Sequence, residues 1–159
     1  VDHEGELAVV IGRICRDVPR DRVADVIFGY TAANDVSARD LQKSDVQWGR
    51  AKGFDTFCPL GPWIVTHLGV DEASDLDIAV AVTHADGTRE ERQRGNTSLM
   101  MRGIAELVEF VSSFCTLLPG DVILTGTPAG VGPIVPGDRV DVEIQGIGTL
   151  SNPVVAQDA

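Results

Sequence analysis

The succession of short apolar segments between turn residues most constrains the fold of this chain. Residues 76–83 alternate between aliphatic and smaller or polar side chains, which is the period of a strand with one buried face. Asp86-Gly87 then predicts a hairpin turn, and the polar segment 88–93 predicts a returning, exposed strand. By the same criteria, further strands are predicted at 7–15, 28–36, 63–67, 122–125, 140–144 and 148–154.

The strongest helical pattern lies in the second half of the chain, where apolar side chains recur at three- and four-residue spacing. We predict an amphipathic helix from Leu99 to Phe114, packed on a sheet, and a short helix at about 38–43. Many predicted strands, few helices and 17 glycines indicate a mostly β (α+β) protein with one long amphipathic helix. The 159 residues fit a single domain, 1–159. The apolar face of the predicted long helix comprises Ile104, Leu107, Val108, Val111 and Phe114.

The charge of the chain restricts its partners. A formal net charge of −11 and a pI of about 4.5 argue against nucleic acid and against anionic membranes. Small anionic substrates stay compatible, because local arginine, lysine or a metal ion can hold them. The apolar runs are too short for a membrane span, and we expect a cytoplasmic protein.

The cysteines and the first residue bear on the origin of the chain. Cys15, Cys58 and Cys115 are odd in number and widely spaced, which predicts neither disulfides nor a zinc site. The chain begins with Val1 rather than Met and enters a strand-like segment at once. We therefore expect that a native N-terminal segment precedes it.

Two glutamates one residue apart, Glu4 and Glu6, open the chain just before the apolar run 7–11. In a strand these side chains point the same way, and two neighbouring carboxylates repel unless a proton or a cation is shared. A hard divalent cation such as Mg²⁺ suits oxygen ligands. Asp35 is a third carboxylate candidate. The alternative is an ordinary solvated strand end.

A glycine-rich loop follows one predicted strand. Residues 125–132 contain three glycines, and such a loop lets backbone N–H groups approach an anion. It is not a P-loop, since the ending Lys-Ser/Thr is absent. A structural turn explains it equally well.

Taken together, these segments are more specific than any one of them. The chain resembles the catalytic C-terminal domain of the fumarylacetoacetate hydrolase family, and the matching blocks follow the order of that family along nearly the whole chain. The blocks are His3–Leu7, Gly29–Thr31, Asn34–Gln42, Ala51–Asp55, Gly95–Ser98 and Pro119–Pro128.

The resemblance implies a fold, a cofactor and a site. The fold is a mixed β-sandwich roll, and the cofactor is Mg²⁺ or Mn²⁺, with Ca²⁺ as a further candidate. The metal ligands of the family fall on Glu4, Glu6 and Asp35. Its substrate-binding positions fall on Arg39, Gln42, Lys52 and Thr127, with Arg39 and Lys52 as the catalytic residues. The alternative is that these four residues have no role in a site: the arginine and lysine would lie on the surface, the glutamine in a helix and the threonine in a turn.

The resemblance also implies substrates and an assembly. The substrates are small anionic 2-oxo acids with a second carbonyl or enol, processed through an enolate on the metal. The assembly is a homodimer, and many short strands leave edges for it to cover. A catalytically silent metal-binding subunit is the distant alternative, although the retained set of charged residues argues against it.

Histidines bear on which reaction is expected. Family hydrolases activate water with a histidine that lies upstream of the metal motif, and none of the three histidines here fits that role. His3 is next to Glu4 in the strand and should therefore point to the opposite face, away from the carboxylates. His67 lies at a predicted strand end and His84 beside a predicted hairpin turn. We predict C–C bond hydrolysis of a fumarylacetoacetate- or acylpyruvate-like substrate. The alternative is an enol–keto isomerase or a decarboxylase of aromatic-degradation intermediates.

Overall fold

Two four-stranded antiparallel sheets form the body of the protein in a computed structural model that describes residues 1–156. One sheet has the order β4-β3-β2-β7 and the other the order β10-β9-β5-β6, and β1 pairs with β8 in a separate ribbon. The described strands are β1 (Asp2–His3), β2 (Gly5–Ile11), β3 (Ile27–Asn34), β4 (Leu60–Val65), β5 (Asp77–Thr83), β6 (Arg89–Asn96), β7 (Val122–Leu124), β8 (Gly132–Pro133), β9 (Arg139–Ile144) and β10 (Gly148–Pro153).

Helices are few and mostly short. The helix α4 is the longest that the described residues contain, and no described helix is long and apolar enough to cross a membrane. The helices are α1 (Arg39–Ser44), α2 (Gly49–Lys52), α3 (Val70–Ala73) and α4 (Ile104–Phe114), with 3₁₀ turns at Arg20–Asp25 and Thr97–Leu99. The prediction of a mostly β protein with one long amphipathic helix is confirmed.

The hydrophobic core lies between the two sheets. Leu7, Val9 and Ile11 alternate along β2 and pack with Val80 and other aliphatic residues of the opposite sheet. The sheets approach most closely at Gly5, where a Cβ would lie 2.2 Å from Val80 Cγ2. A larger residue there would force the side chains of Val80 and Val142 to move, so the Gly5 backbone lies directly against the second sheet.

The opposite face of β2 carries the glutamates, because successive residues of a strand point to opposite faces. The first residue of β2, Gly5, turns its Cα toward the core, so Glu4 and Glu6 turn away from it. The register pairs Gly5 with Asn34 and Glu6 with Ala33. The entry to β2 and the exit from β3 thus meet at one end of the sheet.

The structure corrects some sequence-based boundaries. The helix α4 begins at Ile104 rather than Leu99, because Thr97–Leu99 forms a 3₁₀ turn and Gly103 is extended, with φ −70° and ψ 163°. The hairpin at Asp86-Gly87 is present, with Gly87 at φ 86°. The region 47–61, for which no helix or strand is predicted above, contains the short helix α2.

The polar strand after the hairpin is only partly exposed, contrary to the prediction for 88–93. Its first residues lie in solvent, whereas Gln93 is 1% exposed. Cys15, Cys58 and Cys115 are free and half-buried.

Candidate metal centre

Three carboxylates converge where β2 begins and β3 ends. The backbone N–H of Asp35 donates to Glu4 O at 2.8 Å, and the Glu4 N–H donates to Asn34 Oδ1 at 2.9 Å. These bonds extend the pairing of the two strands by one residue. As a result, carboxylate oxygens of Glu4, Glu6 and Asp35 all lie within 4.8 Å of one another.

Burial makes it unfavourable for all three carboxylates to be ionised at once. Glu6 is 3% exposed, and one of its oxygens, Oε2, accepts the Gly126 N–H at 2.6 Å. Loss of hydration raises the pKa of Glu6 to about 7, the Gly126 N–H opposes this shift, and the charges of Asp35 and Glu4 add to it. A carboxylate in such surroundings is stabilised by a nearby cation.

Lys52, at the end of α2, lies directly against this cluster. Its ammonium donates to Glu4 Oε2 at 2.9 Å, to Asp35 Oδ2 and to Ser37 Oγ at 2.9 Å. Burial disfavours its charge, but the hydrogen bonds and charges of Asp35 and Glu4 outweigh burial and raise the pKa of Lys52. All three N–H donors of the ammonium are used, so Lys52 is a fixed positive charge.

Arg39, the first residue of α1, spans three acceptors. Its Nε donates to Asp2 Oδ2 at 2.8 Å, its Nη1 to Gln42 Oε1 at 2.6 Å, and its Nη2 to Glu4 Oε1. The planar guanidinium donates to these three partners in the directions that its rigid geometry sets. Gln42 lies one helical turn after Arg39 and accepts the bond from its Nη1, which helps to fix the guanidinium.

Thr127 lies in the loop that follows β7, but its hydroxyl is already bonded. Oγ1 donates to Gly5 O at 2.8 Å and accepts from Gln93 Nε2 at 2.7 Å. The single hydroxyl proton is therefore used within the protein. A contact between Thr127 and substrate stays a prediction, and it would use the backbone N–H rather than the hydroxyl.

The three histidines lie apart from the carboxylate cluster, as far as the described hydrogen bonds show. His3 is fully buried, and its Nδ1 pairs with Gln93 Oε1 at 3.0 Å, on the side opposite to the glutamate side chains. His67 is exposed, and His84 Nδ1 pairs with Asp138 Oδ1 at 2.9 Å.

Sequence analysis missed three residues that shape the site. Asp2 anchors Arg39, Ser37 accepts from Lys52, and the amide of Gln93 links β2 to the loop that carries Thr127. Ser37 belongs to the matching block 34–42, which is a usable signal. Asp2 and Gln93 carry no local signal, because their partners lie 37 and 34 or more residues away in sequence.

The donor set suits a divalent cation. Four carboxylates, on Asp2, Glu4, Glu6 and Asp35, surround the charges of Arg39 and Lys52. When all four are ionised, as metal binding requires, two negative charges are left uncompensated. Every ligand candidate is a carboxylate oxygen, which is the preference of Mg²⁺, Mn²⁺ and Ca²⁺. The residues therefore fit a hard divalent ion, although which ion binds stays a prediction.

Fold and site together define a class of protein: a β-sandwich that presents three carboxylates, an arginine and a lysine at one end of its sheet. The chain belongs to the fumarylacetoacetate hydrolase family, because residues 1–155 match the family described as Fumarylacetoacetate (FAA) hydrolase C-terminal. The predicted resemblance is thus confirmed.

Solved structures of relatives share the fold. A 5-carboxymethyl-2-hydroxymuconate delta-isomerase from Mycobacterium smegmatis is 59% identical with a TM-score of 0.92, over 99% of this chain and 60% of that one. A maleylpyruvate hydrolase from Sphingobium sp. SYK-6, in complex with manganese(II) ion and pyruvate, is 40% identical with a TM-score of 0.85, over 97% and 54%.

Curated relatives extend beyond the chain. A protein from Mycobacterium tuberculosis is 58% identical over 98% of this chain, which spans 57% of that relative. An oxaloacetate tautomerase from Bacillus subtilis is 43% identical over 97% of this chain, which spans 52% of the tautomerase. Relatives within the family thus act on oxo acids as hydrolases, isomerases and tautomerases.

Proposed function

We propose that this chain carries the catalytic site of a divalent-metal-dependent enzyme that acts on a small anionic 2-oxo acid. The observation that carries the proposal is the convergence of Glu4, Glu6 and Asp35 within 4.8 Å. The cation, when bound, would act as a Lewis acid toward the carboxylate and 2-oxo oxygens of the substrate. A manganese ion and pyruvate in a relative 40% identical to this chain support both the metal and the substrate class.

The protein's own residues supply charge and position. Arg39 and Lys52 carry fixed positive charges at the edge of the carboxylate cluster, and both are less than a third exposed. We infer that Arg39, which has two N–H donors beyond its three bonds, binds the substrate carboxylate. The charges of both residues stabilise negative charge that develops on the substrate in the transition state. Asp2, Gln42 and Ser37 hold these two cations in place, which limits the reorganisation that catalysis requires.

The first candidate reaction is hydrolysis of a C–C bond in a fumarylacetoacetate- or acylpyruvate-like substrate. The described histidines lie apart from the carboxylate cluster, so the water-activating base for this reaction is unassigned. Enol–keto isomerisation is the second candidate. An oxaloacetate tautomerase that is 43% identical to this chain supports this reaction.

A pair of glutamine variants tests the metal site. Glu6→Gln keeps the shape of the side chain but removes its charge, whereas Glu143→Gln makes the same change at an exposed position of β9. We expect Glu6→Gln to lose Mn²⁺ binding in calorimetry and to lose activity, and Glu143→Gln to keep both. Full activity of Glu6→Gln, or of the wild type after exhaustive chelation, would refute the proposal.

Two assays distinguish the candidate reactions. Pyruvate release from an acylpyruvate, coupled to NADH oxidation by lactate dehydrogenase, reports hydrolysis. The decay of enol absorbance in oxaloacetate reports tautomerisation. Both should be run with the chain of 159 residues and with the full-length M. tuberculosis relative, of which this chain spans 57%. Hydrolysis only by the full-length relative would support a base outside the matching segment, whereas hydrolysis by the chain of 159 residues would show that these residues suffice.

A further inference from the structure

Gln93 is a buried polar side chain with no assigned role in the proposed site. It belongs to β6, in the sheet opposite to the carboxylates, and is 1% exposed. Its Oε1 accepts from His3 Nδ1 at 3.0 Å and from the Gly5 N–H at 3.1 Å. Its Nε2 donates to Thr127 Oγ1 and to Pro128 O, both at 2.7 Å. One amide on β6 therefore joins two other segments of the chain, 3–5 and 127–128.

The orientation of this amide is fixed by its partners. Pro128 O can only accept and the Gly5 N–H can only donate, so the nitrogen of Gln93 must face Pro128 and its oxygen must face Gly5. Both N–H donors and two acceptor positions are used. A methionine at this position would leave the Gly5 N–H, Pro128 O and Thr127 Oγ1 without this partner.

The bonded segments are the ones that carry the carboxylates. Gly5 separates Glu4 from Glu6, and Thr127 follows Gly126, whose N–H donates to Glu6 Oε2 at 2.6 Å. The Thr127 hydroxyl closes the network by donating to Gly5 O at 2.8 Å. Gln93 thus holds the loop against the beginning of β2, on the side opposite to the glutamate side chains.

Close packing makes the loop position depend on β6. A Cβ at Gly130 would lie 2.0 Å from Arg92 O, and a Cβ at Gly95 would lie 3.0 Å from Pro128 Cβ. The loop is therefore in direct contact with the strand that carries Gln93. On its other side, the loop is joined to the Glu6 side chain by the hydrogen bond from the Gly126 N–H.

We propose that Gln93 is a positioning residue: it acts through Gly5 and Thr127 to place Glu6 and the Gly126 N–H for metal binding. This inference rests on the proposed function. Groups that orient metal ligands from outside the coordination sphere typically change metal affinity by about 10- to 100-fold when removed. Gln93 itself makes no contact with the ion or the substrate.

The test compares Gln93→Met with Ser112→Ala. Ser112 of α4 is also fully buried, and its hydroxyl accepts from the Val18 N–H and donates to Glu109 O, neither of which belongs to the carboxylate cluster. Both variants remove buried hydrogen bonds and should lower Tm. We expect only Gln93→Met to weaken Mn²⁺ binding in calorimetry, by at least about tenfold.

Amide exchange in the metal-free protein gives a readout independent of the ion. In Gln93→Met, the Gly5 and Gly126 amides should exchange with solvent at least about tenfold faster than in the wild type, whereas Ser112→Ala should leave both rates unchanged. If Gln93→Met does not fold, Gln93→Asn replaces it. The shorter amide cannot reach Gly5 and Pro128 together, so the same acceleration at Gly126 is expected.

The outcomes separate the two proposals. Wild-type Mn²⁺ affinity and wild-type Gly126 exchange in a folded Gln93 variant would show that Gln93 only supports the sandwich, which overturns the inference. If the wild type itself bound no Mn²⁺, the proposed function would fail. In that case the Gly126 exchange rate would still decide whether Gln93 positions the loop.

Discussion

Replacement of Lys52 by methionine separates the roles of charge and metal in this site. The ammonium of Lys52 contacts Glu4, Asp35 and Ser37, and the side chain is 23% exposed. Methionine keeps most of the aliphatic stem but has no donor and no charge. The change therefore removes one positive charge from the carboxylate cluster without opening a large cavity.

The expected magnitude follows from these contacts. A hydrogen bond to a charged group contributes about 1.5–3 kcal/mol, and 1.36 kcal/mol corresponds to a tenfold change in rate. If Lys52 stabilises charge on the substrate, kcat/KM of Lys52→Met should fall by roughly 10- to 150-fold. Metal affinity should be equal or higher, because a cation that competes for Glu4 and Asp35 is gone.

Steady-state kinetics and Mn²⁺ calorimetry on the same preparation measure both quantities. Lys43→Met is the matched control, because Lys43 is an exposed lysine of α1. It should retain wild-type kcat/KM and metal affinity. If Lys52→Met kept the kcat/KM of the wild type, or if its loss of activity tracked a loss of metal, the assigned role of Lys52 would be wrong.

Three further outcomes are expected. Gly5→Ala should lower stability by about 1–3 kcal/mol through overpacking against Val80, and an unchanged Tm would contradict the close approach of the sheets. The hydrogen bond that His84 Nδ1 donates to the Asp138 carboxylate raises the pKa of His84. The stabilisation from this pair is present below the ordinary histidine pKa of about 6.5 and is lost as pH rises through the raised value. NMR titration of His84 in Asp138→Asn should return that pKa toward its ordinary value, and no change would remove Asp138 as the cause. Light scattering should give the mass of a homodimer, whereas a monomer at micromolar concentration would refute the predicted assembly.

Much of the site could be predicted because its charged residues lie in contiguous blocks. The matching block 34–42 contains Asp35, Ser37, Arg39 and Gln42, and the block at the start of the chain contains both glutamates. Strand parity placed the glutamates on the face away from the core. The roles of these residues in metal and substrate binding stay predictions, although the structure brings the ligand candidates within 4.8 Å.

Other features could not be predicted, because they depend on contacts between distant segments. The family resemblance implies that Thr127 binds substrate, but its hydroxyl proton is used on Gly5 O. Residues 88–93 have the composition of an exposed strand, yet Gln93 is buried where its sheet approaches Gly5. Such bonds join residues 88 or more positions apart, so no local pattern encodes them.

The sequence by itself determined the fold class, the family and the chemical character of the site, since these depend on periodicity, turn residues and the types of charged side chain. The tertiary structure decided which groups are still available to react. The pairing of β2 with β3 converts Glu4, Glu6 and Asp35 into a cluster, and burial raises the pKa of Glu6 to about 7. Desolvation and hydrogen-bond saturation exist only once the two sheets are packed together, because water and partner atoms compete for the same donors and acceptors.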